Sequence, residues 1–369
     1  MGYGKFSTAS FYDSGLGKRA PCLALRENRT GNLGCTQLLF RSRAAHVILF
    51  KPGQFVTLEL EIEGEKVMRS YTISSAPSLP YNFNITVKRA PGGVVSNWLH
   101  DNLNEGDQIV VHGPAGRFNC IDKPAEKALL LAGGVGITPI ASMARWWFDT
   151  NADVDTVFVS CVRTPRDIIF KHQLEWMTTR LTNFQLNIVC EKIESGDVWS
   201  GYRGLLNVEM LKLMAPDVLD RQVYCCGPTP FMKAVRYILQ GLGFPMENYH
   251  EESFGETPEG VSDQITHRLD EFEKQKDETE SKGFAVRFSG IDTVSYLDSE
   301  QALHVATLKA GVGVPKACGV GVCGACKVKK IEGEIEMKHN GGISEEEIAD
   351  GYLLSCCSFA RSDVLLEVS

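Results

Sequence analysis

The run Ala317-Cys318-Gly319-Val320-Gly321-Val322-Cys323-Gly324-Ala325-Cys326 constrains this chain more than any other stretch. Three cysteines stand in the spacing C-x4-C-x2-C, and a fourth, Cys356, follows in Leu353-Leu354-Ser355-Cys356. This is the plant-type spacing for a [2Fe-2S] cluster. Three thiolates must reach the irons from one tight loop, and Gly319, Gly321 and Gly324 let the backbone bend closely around the sulfides. The amides of such a loop can point at the negatively charged cluster. The competing metal is zinc, which usually takes cysteines as short-spaced pairs. Here the second half offers only the adjacent Cys356-Cys357, and neighbours in sequence suit a single tetrahedral ion poorly. Cys318, Cys323, Cys326 and Cys356 are therefore the expected ligands, and Cys357 a bystander.

With 369 residues the chain has room for two or three domains with full cores. A net charge of −8 without a basic stripe argues against nucleic acid as a partner. Twelve cysteines would suit a disulfide-bonded secreted protein. Yet Met1 to Pro21 has no apolar core of signal-peptide length. Cys22, Cys35, Cys120, Cys161, Cys190 and Cys225 stand singly among apolar or strand-like residues, as buried free thiols do. A reducing cytoplasm is expected. No stretch approaches the ~18 apolar residues of a membrane span. Met1-Gly2 is followed by Phe6 where a myristoylation signal needs Ser or Thr. Membrane attachment is not expected.

The organisation reads as five segments. Residues 1–19 are rich in glycine and serine and read as a flexible tail. Residues 20–123 carry short β-like runs such as Thr36–Phe40, Phe55–Leu60, Phe83–Val87 and Gln108–Val111, separated by turn signals. That pattern predicts a β-barrel or sandwich, with one helical stretch from Ser96 to Leu103. Residues 124–254 alternate strand and helix: Ala128–Ala132 then Ile140–Phe148, Thr156–Ser160 then Lys171–Leu181, Leu186–Val189, and Gln222–Cys225 then Pro230–Leu242. Such alternation predicts a doubly wound parallel sheet. Residues 255–282 are charge-dense and poor in aromatics, a partly helical linker. Residues 283–369 open with strands Phe284–Phe288 and Asp292–Leu297, and a helix from Gln301 to Ala310 leads to the cysteine loop.

Three further motifs carry chemistry. Arg69-Ser70-Tyr71-Thr72 ends a strand, where Arg suits a phosphate and Tyr an aromatic ring, as in a flavin nucleotide. Alone it reads more readily as a surface strand pair. Gly92-Gly93 followed by Val94-Val95-Ser96 shifts that balance, because glycines allow close approach and the following amides open a helix, a cradle for pyrophosphate. Gly133-Gly134-Val135-Gly136-Ile137-Thr138-Pro139 is not G-x-G-x-x-G, but it joins a strand to a helix with Thr138 as the expected N-cap and Pro139 at the first helical position. It suits the pyrophosphate of a nicotinamide cofactor, or is an ordinary strand–helix turn. Cys225-Cys226-Gly227-Pro228-Thr229-Pro230-Phe231 ends a later strand at the edge where open α/β sheets bind ligands. No adjacent His or cation would activate Cys226 as a nucleophile, so close packing beside nicotinamide is its expected role.

In this order the motifs resemble the ferredoxin-NADP⁺ reductase family fused to a C-terminal plant-type ferredoxin, over about residues 22 to 369 without the linker. The resemblance implies an antiparallel FAD-binding β-barrel, a doubly wound parallel α/β nicotinamide domain and a C-terminal β-grasp ferredoxin domain. It implies that Arg69 holds the FAD pyrophosphate, Tyr71 packs on the flavin and Thr72 hydrogen-bonds near its N5. Ser70, Val87, Lys88, Gly93, Val94, Val95 and Ser96 would complete the FAD site. Gly134, Gly136, Thr138, Pro139, Arg163, Cys226, Gly227, Pro228 and Phe231 would line the nicotinamide nucleotide site. His250-Glu251-Glu252-Ser253-Phe254 is similar to the family's domain ending, which would place Glu252 near the hydride path and Phe254 over the flavin. A solvated acidic strand end is the alternative. NADH is expected by resemblance. Arg163, Arg166 and Lys171 could bind a 2′-phosphate, so NADPH stays open.

Within that family the chain looks most like reductase components of two-component Rieske oxygenases of the glycine-betaine type, around Lys338–Ile343 and Gly351–Cys357. The reductase of hybrid-cluster protein shares the layout. The expected partner is a terminal oxygenase, and the expected state a monomer. A hydride brings two electrons while the cluster takes one, so a flavin is expected between them. A redox sensor without turnover, and a chain that oxidises its own substrate, are the readings from other classes. The second lacks a His/carboxylate iron site in the sequence.

Overall fold

Alternation along Ala128–Ala132 sorts residues onto two faces of one strand. Ala128, Leu130 and Ala132 enter one core with Phe158, Ile137 and Tyr224, whereas Leu129 and Leu131 enter another with Val157, Val223 and Leu239. A strand buried on both faces belongs in the middle of a helix-covered parallel sheet. The computed structural model describes residues 19–27, 34–42, 47–254, 283–312, 314, 319, 321, 324–339 and 342–367. The expected tail up to residue 18, the expected linker 255–282, Cys318 and Cys323 lie outside the described residues. The chain divides into two compact units, one built around the first two sheets and the other around the remaining two.

The first sheet contains β1 (Arg19–Glu27), β2 (Cys35–Ser42), β3 (Phe55–Ile62), β4 (Glu65–Thr72), β5 (Asn82–Lys88) and, after helix α1 (Val94–Asp101), β6 (Gln108–Ala115). Its order is β4-β3-β6-β1-β2-β5. An antiparallel bridge between Ile73 and Ile85 joins the two edge strands and closes the barrel. Ser74 reinforces the closure by donating its amide to Asn84 O at 2.7 Å. Inside, Phe40 and Phe83 stack with ring centroids 5.3 Å apart, surrounded by Leu38, Leu58, Ile73 and Ile85. Arg19 opens β1, so that strand reaches into the stretch read as tail.

The second sheet contains β7 (Lys127–Gly133), α2 (Ile137–Asp149), β8 (Asp155–Val162), α3 (Lys171–Arg180), β9 (Phe184–Cys190), β10 (Tyr202–Arg203), α4 (Val208–Met214), β11 (Gln222–Cys226), α5 (Thr229–Gly241) and β12 (Tyr249–Glu252). All its pairings are parallel, in the order β10-β9-β8-β7-β11-β12. The direction of winding therefore reverses between β7 and β11, and such a reversal opens a crevice at the carboxyl ends of the strands. At the opposite end Arg221 pins the sheet. It donates to Asp217 Oδ1 at 2.7 Å and to both the carbonyl and the carboxylate of Asp155.

The second unit holds β13 (Phe284–Phe288), β14 (Ile291–Leu297), α6 (Leu303–Lys309), β15 (Lys327–Glu332), β16 (Ile335–Met337), α7 (Glu345–Ala349), β17 (Tyr352–Leu354), β18 (Ser358–Ala360) and β19 (Val364–Glu367). Its main sheet has the order β14-β13-β19-β15-β17, and α6 packs Leu303 and Ala306 into the core with Val286 and Leu366. No described helix is long and apolar enough to cross a membrane.

Candidate functional site

The carboxyl edge of the parallel sheet is where the sequence motifs converge. The turn after β7 and the turn after β11 press directly on one another. A Cβ on Gly136 would lie 2.3 Å from Cys226 O, and one on Gly227 would lie 3.0 Å from Gly133 Cα and 2.6 Å from the Phe231 ring. Only glycines allow that approach. Gly134, by contrast, has φ +53°, and a Cβ there would meet nothing within 4 Å, which leaves an open concavity. Two helices point their N-termini here, α2 and α5. Neither has a side-chain cap or an acidic residue in its first turn. Uncapped, acid-free N-termini suit an anion such as a pyrophosphate.

Thr138 does not cap α2, as the sequence had suggested. A short turn of 3-10 helix, Gly134–Gly136, runs straight into the helix, so Gly136 is the N-cap and Ile137 the first helical residue. Thr138 is buried and donates its hydroxyl to Val135 O at 3.2 Å, and Pro139 stands third in the helix. Both residues remain beside the turn, but the exposed amides come from earlier positions.

Cys226 and Glu252 are register partners on β11 and β12. Glu252 Oε2 is inaccessible to solvent and has no hydrogen-bond partner among the described residues. Burial raises the Glu252 carboxyl to about 8, so it is protonated at neutral pH. Burial, then Glu252 beside it, pushes the Cys226 thiol well above its ordinary range. A thiol so disfavoured as thiolate is no nucleophile. Phe254 follows, with 46% of its surface exposed. Arg163 is exposed beyond the end of β8. Arg166 Nε donates to Asp197 Oδ1 at 2.8 Å, with Glu194 at 4.0 Å from its Nη1.

On the barrel, Arg69 is exposed, Ser70 and Tyr71 are half-buried and Thr72 is buried at the end of β4. Tyr71 packs against the barrel core. Val87 is buried on β5, and Lys88 beside it is exposed. Gly92 has φ +67°, and Gly93 is the N-cap of α1, again without a side-chain cap or an acidic residue in the first turn. A Cβ on Gly93 would lie 2.6 Å from Ser96 Oγ, and that hydroxyl accepts the Ala90 amide at 3.2 Å. Val94 is exposed and Val95 buried, so the helix end faces outward on a fixed base. His100, to which the sequence gave no role, holds that base. Its Nε2 donates to Val87 O at 3.1 Å, a carbonyl that can only accept, and its Nδ1 lies 3.0 Å from Thr36 Oγ1.

In the second unit, Cys326 and Cys356 are both buried in one small core, and the Cys356 amide donates to Cys326 Sγ at 3.5 Å. Amide-to-sulfur bonds of this kind stabilise thiolate ligands of iron–sulfur centres. Gly319, Gly321 and Gly324 all have positive φ, at 71°, 70° and 73°. A Cβ on Gly321 would lie 2.6 Å from Cys357 Sγ, which itself donates to Leu354 O at 3.6 Å. Among the described residues no group of three or more His, Cys, Asp or Glu side chains is placed to hold a metal ion. Two described thiols, the glycine conformations and the amide–sulfur bond fit a cluster loop.

The described residues suit an anionic nucleotide at both helix-bearing turns and a cluster beside Cys326 and Cys356, and comparisons with known proteins identify the three domains. Residues 35–120 match the oxidoreductase FAD-binding domain, residues 130–237 the oxidoreductase NAD-binding domain and residues 291–361 the 2Fe-2S iron-sulfur cluster binding domain. The glycine betaine monooxygenase reductase subunit of Pseudomonas aeruginosa is 55% identical over 321 residues, covering 87% of this chain and 88% of that protein. The stachydrine N-demethylase reductase subunit Stc4 of Rhizobium meliloti is 42% identical over 319 residues, covering 86% and 88%. The structure of phthalate dioxygenase reductase, a modular structure for electron transfer from pyridine nucleotides to [2Fe-2S], aligns over 95% of this chain and 98% of that one. Its TM-score is 0.56 at 24% identity, which speaks for the fold.

Proposed function

The chain belongs to the ferredoxin reductase family in which FAD-binding, NAD-binding and 2Fe-2S domains are joined in one polypeptide, and from that premise we propose that it is the reductase component of a Rieske-type monooxygenase acting on glycine betaine or a related quaternary amine. It is an oxidoreductase with an electron-transfer role. The finer reading, oxygenase and amine, is carried by one observation: 55% identity across all three domains to a glycine betaine monooxygenase reductase subunit. A monomer working in the cytoplasm completes it.

When bound, FAD supplies the conversion of a two-electron hydride into single electrons that a [2Fe-2S] cluster can pass on. The residues divide the remaining work. The amides of Val94, Val95 and Ser96 at the α1 N-terminus, with Arg69, would neutralise the FAD pyrophosphate. Tyr71 would pack against the flavin ring, and Thr72 would supply a hydroxyl for it to hydrogen-bond. The turn at Gly134–Gly136 and the α5 N-terminus at Pro228–Thr229, with Phe231 packed between Gly133 and Gly227, would receive the nucleotide phosphates. Cys226 and protonated Glu252 would form an uncharged floor for a nicotinamide, and the exposed Phe254 would offer its ring to the flavin. Cys318, Cys323, Cys326 and Cys356 would hold the cluster.

Purified chain mixed with a Rieske-type oxygenase from the same cell, NADH and glycine betaine tests this reading directly. Formaldehyde and the demethylated amine are expected, in amounts matching NADH consumed. Rapid NADH oxidation with ferricyanide but no demethylation would reject the oxygenase assignment, and turnover with hybrid-cluster protein would replace it.

A further inference from the structure

In its second half, two turns beyond the Gly134–Gly136 turn, helix α2 carries a buried guanidinium. Arg145 donates through Nη1 to Ser74 O, through Nε to Gln173 Oε1 at 3.1 Å and through Nη2 to the same oxygen at 2.5 Å. Its Cζ lies 4.2 Å from the centroid of the Phe170 ring. Ser142, one turn earlier, donates its hydroxyl to Ser75 O at 2.7 Å, and Asp149, one turn later, accepts from the Ser78 hydroxyl. Positions 142, 145 and 149 share one face of the helix. They grip the segment 74–78, which continues directly from Tyr71-Thr72 and closes the barrel at Ile73–Ile85.

A buried cation is an expensive way to fill this space. The acceptors of Arg145 are a main-chain carbonyl and an amide oxygen, both neutral, and burial lowers its pKa to about 10 against a smaller opposing effect of Asp149. A planar fork, however, can bind acceptors on two elements in fixed directions, which an apolar side chain or an ammonium cannot. The other end of the same rigid helix carries the Gly134–Gly136 turn and its contact with Cys226.

We propose that Arg145 is a positioning residue for hydride transfer, fixing the segment after Thr72 to α2 and so setting how closely the barrel's flavin site approaches the turn that carries the nicotinamide. The inference rests on the functional reading above. It needs only the NADH-to-flavin step, so it stands whichever partner takes the electrons.

The test compares wild type with Arg145→Lys, which keeps the charge but cannot reach both acceptors. Flavin reduction by NADH in rapid mixing should slow about ten-fold or more, because small misplacements of reacting groups are costly. Calorimetric affinity for NAD⁺ and FAD content should stay within about two-fold of wild type, since no group that touches either nucleotide changes. In FAD-replete protein without NADH, amide exchange over residues 73–78 should speed up, a readout independent of turnover. Electron delivery from dithionite-reduced protein to ferricyanide should be unaffected. A folded Arg145→Lys protein with wild-type flavin reduction, or with unchanged exchange at 73–78, overturns the proposal. Should Arg145→Lys fail to fold, Ser142→Ala removes one neighbouring bond and must give a smaller loss of the same kind; unchanged flavin reduction there also overturns it. If wild type itself transfers no hydride from NADH, the functional reading fails instead.

Discussion

Cys226 and Glu252 stand side by side on β11 and β12, a thiol and a carboxyl both kept uncharged by burial. A neutral floor suits the dihydronicotinamide ring, which is itself uncharged, whereas an ionised carboxylate would favour the oxidised, cationic ring. Glu252 Oε2 is buried and has no hydrogen-bond partner among the described residues.

The sign of the pH effect follows. Burial raises the Glu252 carboxyl from 4.5 to about 8 in the folded protein. Between these values the folded chain holds a proton that the unfolded chain has lost, so ligand-free stability falls as pH rises. The slope is at most about 1.4 kcal/mol per pH unit. Urea melts of the wild type should show it, and Glu252→Gln should lack it. An equal slope in the variant would assign the titration elsewhere.

Two glycines of one turn should respond differently to alanine. At Gly136 a Cβ would meet Cys226 O at 2.3 Å, so Gly136→Ala must part the two turns. It should cost about 1–3 kcal/mol, as overpacking does, and weaken NAD⁺ binding. Gly134→Ala meets nothing within 4 Å but must hold φ +53°. It should cost only about 1–2 kcal/mol of backbone strain and retain the turn contact. Calorimetric NAD⁺ affinity and thermal melts separate the two; equal loss of affinity would show that packing against Cys226 is not what shapes the site.

Arg166 is the cation best held by neighbours among those beyond β8, bound to Asp197 at 2.8 Å with Glu194 nearby at 4.0 Å. Two carboxylates around it leave little net charge for a 2′-phosphate. kcat/KM for NADH should exceed that for NADPH, and Asp197→Asn should narrow the gap by about ten-fold, the worth of one charge contact. A ratio unmoved by the substitution would place the discrimination elsewhere.

Much of this was legible because glycine and cysteine report backbone and metal chemistry locally. Gly133, Gly134 and Gly136 marked the turn after β7, and Gly93 marked the start of α1, from sequence alone. Thr138 misled by two residues because the 3-10 turn at Gly134–Gly136 merges into α2, a continuity that no capping preference reveals. Arg145 was passed over because its meaning lies in Ser74 and Gln173, 71 and 28 positions away. A lone Arg in the apolar run Ile140–Phe148 was the available signal. His100 likewise shows its use only through Val87 and Thr36.

The central claim is that electrons enter in pairs at the flavin and leave singly through the cysteine-bound cluster. Anaerobic rapid mixing with NADH, read by flavin absorbance and freeze-quenched paramagnetic resonance, tests it in wild type and in Cys323→Ser. The account predicts flavin bleaching before cluster reduction in wild type, and in Cys323→Ser unchanged bleaching with no delivery to a one-electron acceptor such as cytochrome c. Cluster reduction that precedes the flavin, or a folded, flavin-replete Cys323→Ser protein whose flavin NADH cannot reduce, would contradict it.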